Sequence, residues 1–195
     1  RPASLLALLN RHATGEVCDA ELAAAEDAAI AEVVGKQEAI GLRSVTDGEF
    51  RRENWSLDFF AHLEGTEVID LPLSTTGQGA RTVPAAVVRG KVGAGNHPML
   101  DHLRYLVGQT GQSGSGQTAK LTIPSPTMIV SASRDWRSIV PADVYAGLDE
   151  FFADLGAAYA GFVRTAYDAG CRYLQFDDVN MAYLCDARMR EAISA

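Results

Sequence analysis

Charged side chains are concentrated in the stretch 46–55, which reads TDGEFRRENW. Acidic residues, two arginines, a glycine and two aromatic residues lie within these ten positions. The stretch follows a predicted helix and a short apolar segment, which is where α/β proteins place binding and catalytic groups. Charged groups at this density suit the binding of a small polar ligand.

A second acidic group, QFDDVN at 175–180, follows another predicted helix and strand. Loops at the carboxyl ends of parallel strands meet on one face of a barrel. The sequence therefore predicts that Glu49 and Asp177 project from neighbouring strands toward one pocket.

The same acids also have structural interpretations. Glu49 and Arg52 are three residues apart and could form an exposed ion pair that contributes under about 1 kcal/mol. One of Asp177 and Asp178 could serve as the N-cap of a predicted helical segment at 181–184.

Four further side chains are weaker candidates for the pocket. Trp55 is predicted to be a core residue or a wall of the pocket. Trp136 lies in a loop and has the same two interpretations. In the predicted strand KLTIPSP, Lys120 either faces the interior and pairs with an acid or extends along the surface, and Ser125 is a candidate polar contact.

Metal ligation is not indicated by the sequence. The four histidines have no His-x-His spacing and no cysteine at ligand spacing, so we interpret them as structural. A divalent cation held by Glu49, Asp177 and Asp178 is disfavoured by the adjacent arginines. The three cysteines lack a CxxC spacing and are expected to be reduced.

Composition restricts the class of partner. The 195 residues carry a formal net charge of -8, and 47% of them are hydrophobic. Nucleic acids and anionic membranes require a basic surface, which the sequence does not offer. No apolar run reaches the roughly 18 residues of a membrane span, and no signal segment is recognisable, so a cytoplasmic protein with a small-molecule ligand is expected.

Helices and strands are predicted to alternate. A helix at 19–40 is followed by a strand at 42–46, and a long helix after Pro141, at about 144–166, is followed by a strand at 171–176. This alternation predicts a parallel sheet. Residues 64–96 are expected to form a hairpin-like excursion, a helix follows at 98–107, and 108–117 are expected to be a mobile loop.

A phosphate-binding glycine motif is not found after any predicted strand, which disfavours a nucleotide-binding sheet. A (β/α)8 barrel fits the alternation better, but a whole barrel needs about 250 residues. The sequence therefore predicts an α/β fold that is part of a TIM barrel, in one domain spanning 1–195, and its start at Arg1-Pro2 suggests a truncated barrel.

Three segments in order, SVTDGEFRRENW, KLTIPSPTM and YLQFDDVNMAYLCD, resemble the cobalamin-independent methionine synthase family, in its single-barrel, catalytic-domain form. The resemblance implies a cytoplasmic zinc-dependent transfer of a methyl or alkyl group to a small thiol such as homocysteine, in methionine biosynthesis. It covers the N-terminal half of such a barrel and implies that the zinc ligands lie outside this chain, which alone would be inactive.

The resemblance also implies roles for individual residues. Glu49 and Asp177 would accept hydrogen bonds from the amino group of the substrate, and Arg52 would hold a carboxylate or orient Glu49. Two other functions stay open from the sequence: a binding module without catalysis, and a barrel enzyme similar to uroporphyrinogen decarboxylase. An open half-barrel would also favour a second copy or a complementing half-barrel as partner.

Overall fold

The computed structural model of the protein describes residues 1–72, 82–112, 116–133 and 135–194. Helices and strands alternate along most of the chain. In order they are α1 (Ala3–Ala13), α2 (Asp19–Ala39), β1 (Ser44–Val45), α3 (Leu57–Phe60), β2 (Glu64–Pro72), β3 (Thr82–Gly93), α4 (Met99–Gln112), β4 (Thr118–Pro124), α5 (Leu148–Asp168), β5 (Tyr173–Asp177), α6 (Asn180–Tyr183) and α7 (Ala187–Ser194), with 3-10 helices at Pro126–Ala132 and Trp136–Ser138.

Three strands form one sheet, in the order β1, β4, β5. Strands β1 and β4 are parallel, with Ser44 opposite Thr118 and Val45 opposite Ala119. Parallel pairing of these two strands is what the alternation of helices and strands predicts. The described residues thus show a mixed α/β fold with small sheets, and closure into a TIM barrel stays a prediction.

An antiparallel pair, β2 with β3, occupies the range in which the sequence predicts a hairpin. The register is irregular between Glu64 and Thr66. Gly65 lies at this point with a φ of +77°, and a Cβ added to it would lie 2.4 Å from the carbonyl oxygen of Lys91. The close approach of the two backbones therefore requires glycine here.

Two helix boundaries differ from the prediction. Helix α4 continues to Gln112 instead of ending near Val107. The Thr110 hydroxyl donates to the Val107 carbonyl at 2.9 Å. Glycine inside a helix costs only about 1 kcal/mol, so α4 can include this polar, glycine-containing segment. Of the segment predicted to be mobile, 108–117, residues 113–115 lie outside the described residues. Helix α5 begins at Leu148, after a turn, rather than near 144.

Helix α2 follows its sequence signals closely. It begins at Asp19, with Cys18 rather than Asp19 in the N-cap position, and Asp19 and Glu21 lie in its first turn. Its end is set by Gly41, whose φ is +83°. A left-handed residue after the last helical turn is the usual way to end a helix, and glycine adopts it without steric cost.

The chain divides into two compact units. The first comprises Arg1–Glu53, Leu100–Leu121 and Tyr167–Leu174. Apolar side chains from α1, α2, β1, α4 and β4 are buried together in its core, and Phe50 joins them from the charged stretch. The core residues are Leu5, Ile30, Val34, Val45, Phe50, Leu106 and Ala119.

The second unit comprises Asn54–Met99, Thr122–Ala166 and Gln175–Ala195. Its interior is rich in aromatic rings. The ring of Phe59 lies 5.1 Å from those of Tyr159 and Phe162 and is stacked 4.8 Å from the imidazole of His97. His97 is 1% exposed; its Nε2 lies 3.0 Å from the Phe59 carbonyl and its Nδ1 accepts the Met99 N–H, which fits its interpretation as structural.

All three cysteines are free thiols. Cys18 is exposed in the first unit and Cys185 is exposed in the second, whereas Cys171 is buried with its Sγ 3.4 Å from the carbonyl of Tyr173. Within the described ranges, none of the helices combines the length and the apolar character that crossing a bilayer requires.

Candidate functional site

The charged stretch forms a tight turn after β1. Gly48 and Glu49 both have positive φ, at +68° and +55°. The Asp47 carboxylate accepts the Glu49 N–H at 2.9 Å, and the Thr46 hydroxyl accepts the Gly48 N–H at 3.2 Å. Position 48 requires glycine because a Cβ there would lie 2.6 Å from the ring of Phe50. Glutamate at positive φ is uncommon, and such residues cluster at functional sites.

Glu49 and Arg52 form an ion pair within the first unit. Arg52 Nη1 lies 3.3 Å from Glu49 Oε1, and the Arg52 N–H donates to the Glu49 carbonyl. The Arg52 side chain is 5% exposed and that of Glu49 is 32% exposed. The pair is therefore not of the exposed surface type: a buried guanidinium orients a carboxylate that keeps access to solvent.

Helix α2 contacts both ends of this turn. The side-chain amide of Gln37 donates to the Thr46 carbonyl at 2.8 Å and accepts the Thr46 N–H at 3.0 Å. At the other end, Arg51 donates to Glu26 at 3.3 Å and to Asp27. Neither Gln37 nor Arg51 was among the predicted site residues, because a hydrogen bond between residues far apart in the chain leaves no periodic signal in the sequence.

Two titratable groups beside the turn have shifted pKa values. Burial raises the pKa of Glu26 above its ordinary 4.5, although the neighbouring Arg51 opposes this. Burial, and then the positive charge of Arg51, lower the pKa of His102, against an opposing effect of Asp47. His102 is therefore mainly neutral at pH 7, where the turn also carries two guanidinium groups.

The second acidic group holds two segments of the second unit together. Asp178 Oδ2 accepts hydrogen bonds from the hydroxyls of Ser125 at 2.8 Å and Thr127 at 3.1 Å. Its Oδ1 accepts the backbone N–H groups of Asn180 and Met181, at the start of α6. The Ser125 hydrogen bond is the main reason that the pKa of Asp178 lies below its ordinary value.

Asp178 thus accepts the first backbone N–H groups of α6, but the N-cap residue of this helix is Val179 and not one of the two aspartates. Its neighbour Asp177 accepts a hydrogen bond from the side chain of Gln175 at 2.6 Å, and its carbonyl accepts the Ser125 N–H at 2.9 Å. Asp177 is half-buried. Ser125, Asp177 and Asp178 are therefore close together in the second unit. Thr127 was missed, although it lies only two residues from Ser125.

The other predicted residues have separate surroundings. Lys120 is half-buried, with its ammonium 5.7 Å from the ring centre of Tyr173. Its pairing with Glu49 or Asp177 stays a prediction. Trp55 is half-buried beside α3. Trp136 stacks on the guanidinium of Arg137 at 3.9 Å.

A cavity of about 280 Å³ lies in the second unit. Its lining carries no charge and includes none of the seven predicted site residues. The lining residues are Asn54, Ser56, Leu57, Phe60, Pro84, Ala86, Met128, Ile129 and Ser131. A common pocket for Glu49 and Asp177, which lie in different units, stays a prediction.

The described side chains can be compared with the ligands that a metal site requires. Across the described parts of the chain, no three His, Cys, Asp or Glu side chains are arranged to hold a metal ion. The side chains at Asp178 offer two carboxylates and two hydroxyl groups, whereas zinc prefers nitrogen and sulfur ligands. The described residues therefore do not fit a zinc site.

Comparison with known proteins gives two relatives from Bacillus subtilis (strain 168). The uncharacterized protein YxjH is 35% identical over 189 residues, which are 95% of this chain and 47% of YxjH. The uncharacterized protein YxjG is 34% identical over 185 residues, which are 94% of this chain and 47% of YxjG. The chain therefore spans about half the length of the curated relatives it matches. No protein-family model matches the sequence.

Two solved structures share the fold. A candidate vitamin-B12-independent methionine synthase from Listeria monocytogenes matches with a TM-score of 0.76 and 31% identity, over 95% of this chain and 51% of its own. The B12-independent methionine synthase of Shewanella sp. W3-18-1, solved in complex with selenomethionine, matches with a TM-score of 0.63 over 84% of this chain and 44% of its own. At 19% identity the second likeness shows the fold alone.

Proposed function

We propose that this chain forms the amine-binding part of a methyl or alkyl transferase related to the B12-independent methionine synthases. The observation that carries the proposal is the likeness to the Listeria monocytogenes structure, which extends over 95% of the chain at 31% identity. In the proposal, the whole protein acts in methionine biosynthesis in the cytoplasm, within a TIM barrel of which this chain is a part.

Glu49 is the residue to which the proposal assigns most of the binding. Its carboxylate is partly open to solvent while its partner Arg52 is buried. A fixed carboxylate of this kind accepts charge-assisted hydrogen bonds from an ammonium group. Asp177 is proposed as the second carboxylate, since a cation between two carboxylates keeps both of them ionised.

The remaining predicted residues are given supporting roles. Arg52 orients Glu49 through their ion pair. Asp178 and Ser125 fix the loop beside Asp177 through their 2.8 Å hydrogen bond. Trp55 and Lys120 are proposed to border the ligand. These roles bind and orient an amino-acid thiol such as homocysteine, and the proposal places the zinc ligands of the whole protein among residues outside this chain.

Calorimetric titration with L-methionine, the product of such a transfer, tests the assignment of Glu49. Glu49→Gln keeps the shape of the side chain and removes its charge. Because a hydrogen bond to a charged group contributes about 1.5–3 kcal/mol, the affinity should fall roughly ten- to a hundredfold. The matched control is Glu67→Gln, since Glu67 forms an exposed ion pair with Arg89.

A second ligand makes the test specific for the amine. 4-(Methylthio)butanoate is methionine without its amino group. The Glu49→Gln substitution should weaken the binding of methionine but not that of this analogue, and Asp177→Asn should behave in the same way. If both ligands bind wild-type protein equally, or if Glu49→Gln leaves the affinity for methionine unchanged, the proposed function is wrong.

A further inference from the structure

The turn that carries Glu49 is fastened to helix α2 at both ends. Gln37 makes two hydrogen bonds with the backbone of Thr46, before Glu49. Arg51, after Glu49, reaches the carboxylates of Glu26 and Asp27. Glu26 and Gln37 are eleven positions apart, which is about three helical turns, so these two residues lie on the same face of α2. One helix face thus holds both ends of the turn.

The ion pair between Arg51 and Glu26 is largely enclosed by the protein. The Arg51 and Glu26 side chains are only 10% and 11% exposed. The guanidinium of Arg51 lies 5.2 Å from the ring centre of Tyr105, whose hydroxyl donates to the Asp27 carbonyl at 2.8 Å. A planar guanidinium can bind two carboxylates and stack on a ring at the same time, which an ammonium group cannot do.

The backbone between the two attachments needs such support. Glu49 has a φ of +55°, in the left-handed region that side chains with a Cβ adopt at an energetic cost. A strained conformation persists only where the surrounding structure determines it. Phe50, directly after Glu49, is buried in the core, and its carbonyl accepts a hydrogen bond from the Arg1 side chain.

We propose that Gln37 and Arg51 are positioning residues, which hold Glu49 in its left-handed conformation and thereby present its carboxylate to the ligand. The inference rests on the function proposed above for Glu49. It assigns to α2 a part in ligand binding, although neither positioning residue contacts the ligand. Arg51 acts through the backbone of the turn, in contrast to Arg52, which acts through the Glu49 carboxylate.

Two substitutions test the inference, each with a matched control. Gln37→Met keeps the length of the side chain and removes both hydrogen bonds to Thr46. Its control is Gln117→Met, because Gln117 also donates to a backbone carbonyl, that of Leu42, at 3.0 Å. Arg51→Met removes the attachment to α2. Its control is Arg104→Met, which removes an exposed ion pair with Asp101 in α4.

Two measurements are made on each variant. The first is the affinity for L-methionine by calorimetry. The second is the intraresidue nuclear Overhauser effect between the amide and α protons of Glu49, which is strong at positive φ and needs no ligand. We expect Gln37→Met and Arg51→Met each to weaken the affinity for methionine by about tenfold and to weaken the Overhauser effect at Glu49. Both control variants should keep the wild-type affinity and a strong Overhauser effect. Arg51→Lys should recover part of each loss.

The two measurements separate the two proposals. If wild-type protein does not bind methionine, the proposed function fails, and the Overhauser effect still decides whether Gln37 and Arg51 hold the turn. If Gln37→Met folds and keeps both a strong effect at Glu49 and wild-type affinity, the positioning inference is wrong. If Arg51→Met does not fold, the result for Gln37→Met alone decides whether the positioning inference holds.

Discussion

Glu49 combines a proposed binding role with an unfavourable backbone conformation. Its carboxylate pairs with the buried Arg52, so a substitution that removes the carboxylate leaves that guanidinium with one ion pair fewer. The cost of the left-handed conformation is separate from this loss. It is removed only by a residue that lacks a Cβ.

A comparison of Glu49→Gly with Glu49→Ala isolates the free-energy cost of the left-handed backbone conformation, because both variants lose the carboxylate. Inside a helix or a strand, alanine is more stabilising than glycine by about 0.5–1 kcal/mol. At a φ of +55° we expect the reverse, with Glu49→Gly about 1 kcal/mol more stable than Glu49→Ala. Urea unfolding measures the difference. An alanine variant as stable as the glycine variant would show that the turn is not strained.

Glu26 predicts a pH dependence. Burial raises the pKa of Glu26 in the folded protein above its ordinary 4.5. Between pH 4.5 and this raised pKa, the folded state therefore binds more protons than the unfolded state. The contribution of Glu26 to stability therefore decreases as the pH rises from about 4.5 through the folded pKa.

Glu26→Gln removes this titration. We expect the free energy of unfolding of Glu26→Gln, relative to wild type, to increase with pH within this window and to level off above it. Urea unfolding of both proteins between pH 4 and pH 8 measures the difference. A relative stability that is constant, or that decreases with pH, would contradict the raised pKa.

At the scale of the elements, glycine has opposite roles in the two units. Gly65 lies where β2 and β3 approach closely, and a Cβ there would meet backbone atoms of Gly90 and Lys91. Gly35 lies inside α2 and has open space around it.

We therefore expect Gly65→Ala to destabilise the protein by about 2 kcal/mol or more, because backbone atoms must move and the φ is positive. Gly35→Ala should stabilise it by roughly 0.5–1 kcal/mol, through helix propensity. Thermal and urea unfolding of the two variants give the comparison. Equal effects of the two substitutions would contradict the close approach at Gly65.

The helices and strands also show which features of the fold the sequence alone predicts. The alternation of helices and strands was predicted because burial on one face leaves a periodic pattern, and the end of α2 was predicted because Gly41 marks it. The sequence does not predict the extension of α4 to Gln112, because glycine, glutamine and threonine are also typical of loops. The charged turn was located, but its left-handed Glu49 and its attachment to Gln37 depend on contacts between distant residues.

On the scale of the whole molecule, the chain corresponds to about half of its relatives, and residues 176–184 include exposed apolar side chains. These are Phe176, Val179, Met181 and Leu184. Apolar side chains grouped in this way favour association. Pairing with a second copy or with a complementing half-barrel stays a prediction.

We expect the isolated 195-residue chain to associate with a second copy through these side chains. Light scattering coupled to size exclusion should give twice the mass of 20.8 kDa, and Met181→Glu or Leu184→Glu should shift the mass toward that of a monomer. The control is Leu6→Glu, an exposed apolar position in α1. A wild-type chain that stays monomeric at high concentration would contradict the prediction.

The placement of the thiols offers a tool that needs no mutagenesis. One accessible cysteine lies in each compact unit, Cys18 in the first and Cys185 in the second, whereas Cys171 is buried. Maleimide dyes should therefore attach at two sites only. Single-molecule fluorescence transfer between the dyes would then report whether the two units move as one body, and whether adding methionine alters that motion.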